Sequence, residues 1–185
     1  MGYLSGKIIT ATPQMDDPRF RHGIILICEH DDEHAFGIVL NKQIKNLSLG
    51  EIGEQLGISA SEKIKNPPIY DGGPCQPERG FVLHSNDWID ASSCDVNLNL
   101  SLTVSKDIIE AIMNDVGPSK SLIAMGYSGW GAGQLEDEVS NNIWLVGDAD
   151  EELIFSKSSA ESKWQHSMLL MNIDPKRLST ICGNA

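Results

Sequence analysis

Apolar runs separated by short polar breaks dominate the first half of the chain. GIILICEH (23–30) and AFGIVLNK (35–42) are nearly continuous apolar segments, parted by the polar DDEH. Two β-rich runs joined in this way predict a hairpin. Because neither run alternates strictly, both strands are expected to be covered on two faces. Upstream, Leu4 to Ala11 predicts an edge strand, and PQMDDPRF is a turn-rich connection. Further on, GFVLHS (80–85) reads as a strand, and VNLNLSLTV (96–104) alternates as a strand should.

Helical signals come between these runs. Ser48 and Glu51 have the S-x-x-E spacing of a capping box, with Leu49, Ile52 and Leu56 on one face and Gly57 as the stop. Ser105 predicts the cap of a second helix carrying Ile108, Ile109, Ile112 and Val116, closed by Gly117-Pro118. From Ser121 to Gly147 the chain reads as a strand (Leu122–Met125), a glycine loop, an acidic helix starting near Gly133-Gln134, and a strand over Ile143–Val146. GDADEEL is then a solvated turn and LIF (153–155) a short strand. Ser158 and Glu161 repeat the capping-box spacing ahead of a stripe of Trp164, Met168 and Met171, read as core packing. Asp174-Pro175 predicts a short last helix. Strands outnumber helices and include a hairpin, which favours α+β over a doubly wound sheet.

Bulk properties narrow the function classes. The 185 residues suit one domain, 1–185, with a sizeable core. With 14 Lys and Arg against 26 Asp and Glu, the net charge is −12. Such a surface repels phosphate backbones, so direct nucleic-acid binding is disfavoured unless the few cations gather on one face. The cysteines at 28, 75, 94 and 182 form no C-x-x-C pair, and Cys28 reads as a small buried hydrophobe. No signal peptide, myristoylation motif or membrane-spanning run is visible, so a soluble cytoplasmic protein is expected.

Three constellations are candidates for chemistry. Gly126, Gly129, Gly131 and Gly133 precede a helix, but the spacing is neither a P-loop nor a dinucleotide fingerprint. Glu136, Asp137 and Glu138 already complement that helix's dipole, so a structural turn around Tyr127 and Trp130 is preferred over a phosphate site. EHDDEH (29–34) gathers carboxylates and histidines, but as a hairpin tip it reads as a solvated turn rather than a metal site. Cys75, after Gly72-Gly73-Pro74, would need His84 as its base to act as a nucleophile. The turn chemistry of those three residues is explanation enough for the motif.

Five ordered segments carry a resemblance: ATPQMDDPRF, EHDDEHAFGIVLNK, YDGGP with FVLHS, GYSGWGAGQLEDEV with NIWLV, and the ending CGNA. Across nearly its whole length the chain resembles the AlgH/YqgE family of bacterial proteins. The family pattern has valine where this chain has Cys75, which argues against a cysteine mechanism. It has GHA where this chain ends Gly183-Asn184-Ala185, which argues against a shared C-terminal catalytic histidine. The resemblance implies a compact α+β domain with a bifurcated or barrel-like mixed β-sheet flanked by helices, and an undefined biochemical activity. Some members carry a transcriptional-regulator label, but no helix-turn-helix is recognisable here.

The expected function is a non-enzymatic binding or regulatory module meeting a protein or small-molecule partner. Its surface is expected to combine Glu29, His30, Asn41, Gly72, Gly73, Tyr127, Trp130 and Gln134, with the DGGP and GYSGWGAGQ segments meeting at one end of the sheet. The alternative is an enzyme using Glu29, His30, His84 or Glu136 as acid–base groups in a closed pocket. The sequence points to no cofactor, metal or membrane partner, and leaves catalytic residues and oligomeric state open.

Overall fold

A computed structural model describes residues 3–58 and 66–175. Five strands make one wing of the sheet: β1 (Lys7–Ala11), β2 (Ile24–His30), β3 (His34–Val39), β9 (Ser121–Gly131) and β10 (Trp144–Asp148). The second wing holds β4 (Gln43–Ile44), β5 (Ile69–Asp71), β6 (Cys75–Ser85), β7 (Cys94–Asp95) and β8 (Leu100–Thr103). The wings share β9, and the main path runs β10-β1-β2-β3-β9-β6-β8-β7.

The sheet forks along one edge of β9. Residues 128–131 of β9 pair with β3, whereas residues 123–125 pair in parallel with β5 on that same edge, opposite β6. Gly72 sits in the fork: its N–H donates to the Met125 carbonyl, and its carbonyl accepts from the Val39 N–H. The backbones cross so closely that a Cβ on Gly72 would lie 2.2 Å from the Gly126 oxygen. One on Gly73 would lie 2.3 Å from the Tyr127 carbonyl carbon, and Gly126 itself holds φ +71°. These glycines are required by contact between backbones.

Among the described residues, five helices cover the wings. On β1, β2 and β3, Ile8, Leu26 and Ile38 face one core, which also holds Trp164 and Met168. Their neighbours Ile9, Ile25 and Val39 face another, with Trp130, Leu135 and Trp144. A third core joins Ile69, Val82 and Ile123 to Leu49, Ile108 and Ile109. The helices are α1 (Leu49–Gln55), α2 (Lys106–Met113), α3 (Gln134–Ser140), α4 (Glu151–Phe155) and α5 (Ala160–Leu170). Neighbouring residues of one strand therefore feed opposite cores, which explains the unbroken apolar runs. The hairpin, both bonds of the Ser48/Glu51 capping box and the Ser105 cap are present as expected.

Several elements differ from expectation. β1 is internal, paired to both β2 and β10. The expected glycine loop is the second half of the eleven-residue strand β9; Gly126 bends it without ending it. β6 starts at Cys75 rather than 80, with a register irregularity before Gly80. Of the expected strand over 96–104, residues 100–103 are strand β8, whereas 96–99 form a tight turn from β7, closed by Val96 N–H to the Leu100 carbonyl. LIF belongs to α4, whose Asp150 side chain accepts from the Leu153 N–H. The cap of α5 is Ser159, one residue beyond Ser158. Val116 and Leu56 are exposed rather than core-facing. The expected last helix and the CGNA ending fall almost wholly outside the described residues.

Candidate functional site

Three aromatic side chains from three different strands meet on the face of the sheet beside the fork. Phe36 of β3, Phe81 of β6 and Tyr127 of β9 have ring centroids 4.9 to 5.8 Å apart. They line a cleft of about 530 Å³, within the range of small-molecule sites. Gly129, opposite Phe36, leaves the floor open: a Cβ there would meet the Tyr127 ring at 3.3 Å and the Cys75 sulfur at 3.9 Å. The Arg79 guanidinium stands over Phe81, 5.3 Å from the ring centroid. Its own bond is to the Gln76 side-chain oxygen at 3.3 Å, and it forms no ion pair among the described residues. Glu29, His34 and Asp95 complete the charged rim.

Cys28, Cys75 and Cys94 also line this cleft. Burial pushes the Cys28 thiol far above its ordinary range, which leaves it a poor nucleophile. His84 is remote from Cys75: on β9 their partners are Ser121 and Tyr127. That register offset corresponds to about 20 Å along a strand. The proposed pairing of Cys75 with His84 does not form.

The expected site residues divide by location. Glu29, Tyr127 and Trp130 border the aromatic cleft, and Gly72 and Gly73 form the fork beside it, so the DGGP and GYSGWGAGQ segments do meet. The Trp130 indole belongs to the opposite face, where it donates to Glu138 Oε2 at 2.9 Å. Trp144 donates to the same oxygen at 2.6 Å, and Gln134 donates to Oε1 at 2.9 Å. Gln134 and Trp130 are thereby committed to anchoring α3. His30 is buried beside them: its Nδ1 accepts from the Leu4 N–H at 3.0 Å, so Nε2 faces Glu136 at 3.0 Å. Asn41 lies beyond the other end of β3, accepting from the Ile24 N–H and donating to the His22 and Ala160 carbonyls. It does not join the cleft. His84 is likewise enclosed, bonded to the Ser85 carbonyl and the Thr103 hydroxyl.

At the hairpin tip, ligand atoms of Glu29, Asp31 and His34 lie within 4.8 Å of one another. One Asp31 oxygen already accepts from the Glu33 and His34 N–H groups, which shapes the turn. Phe36, Phe81 and Arg79 were missed from sequence. Phe36 and Phe81 looked like ordinary core positions of strands, and Arg79 stood alone without a motif. Their convergence depends on the fork.

A family model described as AlgH-like matches residues 8–176. The chain belongs to the AlgH-like family. A UPF0301 protein of Cereibacter sphaeroides is 42% identical over 183 residues, covering 98% of this chain and 99% of its own. One from Hahella chejuensis is 44% identical over 187 residues, covering 100% and 98%. The solution structure of the AlgH protein from Pseudomonas aeruginosa is similar at TM-score 0.79 and 36% identity, covering 99% of this chain and 96% of that one. The crystal structure of protein DIP2367 from Corynebacterium diphtheriae, at TM-score 0.71 and 21% identity, covers 91% and 87% and shares the fold. Among the described residues, no helix is long and apolar enough to cross a membrane.

Proposed function

We propose that this AlgH-like protein is a cytoplasmic, non-enzymatic binding module whose site is the aromatic cleft. The observation that carries this reading is the meeting of Phe36, Phe81 and Tyr127 around an open floor, with Arg79 at the rim. Such a site suits a flat, apolar ligand bearing one anionic group: ring faces take the apolar part, and a guanidinium pairs with carboxylate or sulfonate. The enzyme alternative draws less support, because both ring nitrogens of His30 and of His84 are occupied by partners within the protein. A general base must reach the proton it removes.

Anilinonaphthalene sulfonate has this chemistry and can serve as the probe. Titration is expected to give saturable one-to-one binding with fluorescence enhancement. Gly129→Leu, which fills the floor, should abolish it. Arg79→Gln, at an exposed position, should weaken it by roughly tenfold, the loss of one charge-assisted contact. Binding unchanged in both variants, each with native melting behaviour, would remove the cleft as the site.

A further inference from the structure

The cations of this acidic chain are unevenly placed. Arg21, Lys42, Lys45 and Lys157 all line a second cleft of about 870 Å³, at the Asn41 end of the β2–β3 hairpin. One carboxylate, Glu161, shares that lining, and it is already paired with His22 at 2.8 Å. None of the four cations forms a salt bridge among the described residues, although Lys42 donates to the Arg21 carbonyl at 3.0 Å. Four of the chain's 14 Lys and Arg thus surround one concavity in a molecule of net charge −12.

Other features in and behind the same walls bear on the ligand. Ser159 and Ala160, at the start of the eleven-residue helix α5, form part of the lining, so the positive end of a helix dipole faces the cleft. Behind the wall lies the ammonium of Lys163, fully buried, 5.3 Å from the Tyr70 ring, with carbonyl partners only. Ile44, Leu47, Pro67 and Pro68 add apolar groups to the same lining.

We propose that this second cleft binds a small phosphorylated anion of the polyphosphate type, its phosphate chain held by Arg21, Lys42, Lys45 and Lys157. A concave site lined by cations together with apolar groups suits a compact ligand such as a nucleoside triphosphate. A nucleic-acid duplex would instead meet the acidic remainder of the surface. The site is separate from the aromatic cleft, so either assignment can fail alone.

The test is calorimetric titration of the intact protein with ATP and with inorganic triphosphate, free of magnesium, at about 50 mM and 200 mM salt, since screening weakens exposed charge pairs. Saturable binding that weakens with salt is expected. Lys45→Gln and Lys157→Gln, both at exposed positions, should each reduce affinity about threefold to fivefold, and the double variant about ninefold or more, by loss of single exposed charge contacts. Lys106→Gln, on α2 away from the cleft, should leave affinity unchanged, and all variants should melt as the parent does. Tighter binding of ATP than of triphosphate identifies a nucleotide as the source of the phosphates; equal binding identifies free polyphosphate. The proposal is overturned by no saturable binding of either anion, by binding indifferent to both lysines, or by a single-stranded oligonucleotide displacing ATP at lower concentration than triphosphate does.

Discussion

Two polar residues, the buried Lys163 and the half-buried Glu138, carry much of the local logic. Lys163 ties α5 to the Leu40 and Ile154 carbonyls and forms no ion pair among the described residues. Its burial lowers the ammonium from an ordinary 10.5 to about 8. Between those values the unfolded chain holds a proton that the folded chain has released, so stability rises with pH across that window. From pH 7 to pH 9 the parent should gain roughly 1.4 kcal/mol relative to Lys163→Met, as one pH unit of differential protonation is worth about 1.4 kcal/mol. The Cys28 thiol works the other way above its ordinary value of 9.0, because it stays protonated only when folded. The comparison therefore stops at pH 9, and urea unfolding of the two proteins reads it. Parallel pH profiles would mean that Lys163 is charged throughout. Glu138 is the second such residue, with two buried indoles donating to one oxygen. Glu138→Ala leaves both N–H groups without a partner and should cost roughly 2–4 kcal/mol. Glu138→Gln, which retains an acceptor, should cost less than half of that in the same denaturation experiment.

Among elements, β9 organises the molecule, because one strand edge serves two partners that diverge at Gly72. Two glycines bounding the same region should therefore respond in opposite ways to alanine. At Gly72 the added methyl meets backbone at 2.2 Å, whereas at Gly131 nothing lies within 4 Å. Gly72→Ala should lose more than about 3 kcal/mol or fail to accumulate, and Gly131→Ala should stay within about 1 kcal/mol, the range for an unstrained surface site. Thermal melting of the two variants checks both expectations. The sequence supported the helix caps because a cap is local: Ser48 and Ser105 find their partners three residues on. It did not reveal the second half of β9, because GYSGWGAG has the composition of a turn. Only Gly73 and Tyr127 in contact explain why those glycines belong inside a sheet. The α4 segment was misread for the related reason that three apolar residues fit either a strand or one helical turn.

For the whole molecule, the distribution of charge matters more than its sum. A value of −12 describes repulsion from phosphate backbones on average, but it hides a cleft lined by Arg21, Lys42, Lys45 and Lys157. Those residues come from three separate segments, around positions 21, 42–45 and 157, so no window of sequence displays all four together. The aromatic cleft was equally hidden. Its polar border at Glu29 and its ring at Tyr127 were anticipated, while Phe36 and Phe81 were indistinguishable from core residues until the strands were in register. The family was legible because five motifs keep their order across nearly the full chain. The cleft was not, because Phe36, Phe81 and Tyr127 sit within separate motifs and meet only in the folded sheet.

The central claim is that the aromatic cleft receives a ligand, and amide and methyl chemical-shift mapping with anilinonaphthalene sulfonate tests it most directly. Saturating shifts should concentrate at Phe36, Arg79, Phe81, Tyr127 and Gly129, with Asn41, Lys45 and Lys157 unmoved. Shifts that scatter over the surface, or that cluster away from the Phe36–Phe81–Tyr127 triad, would contradict it.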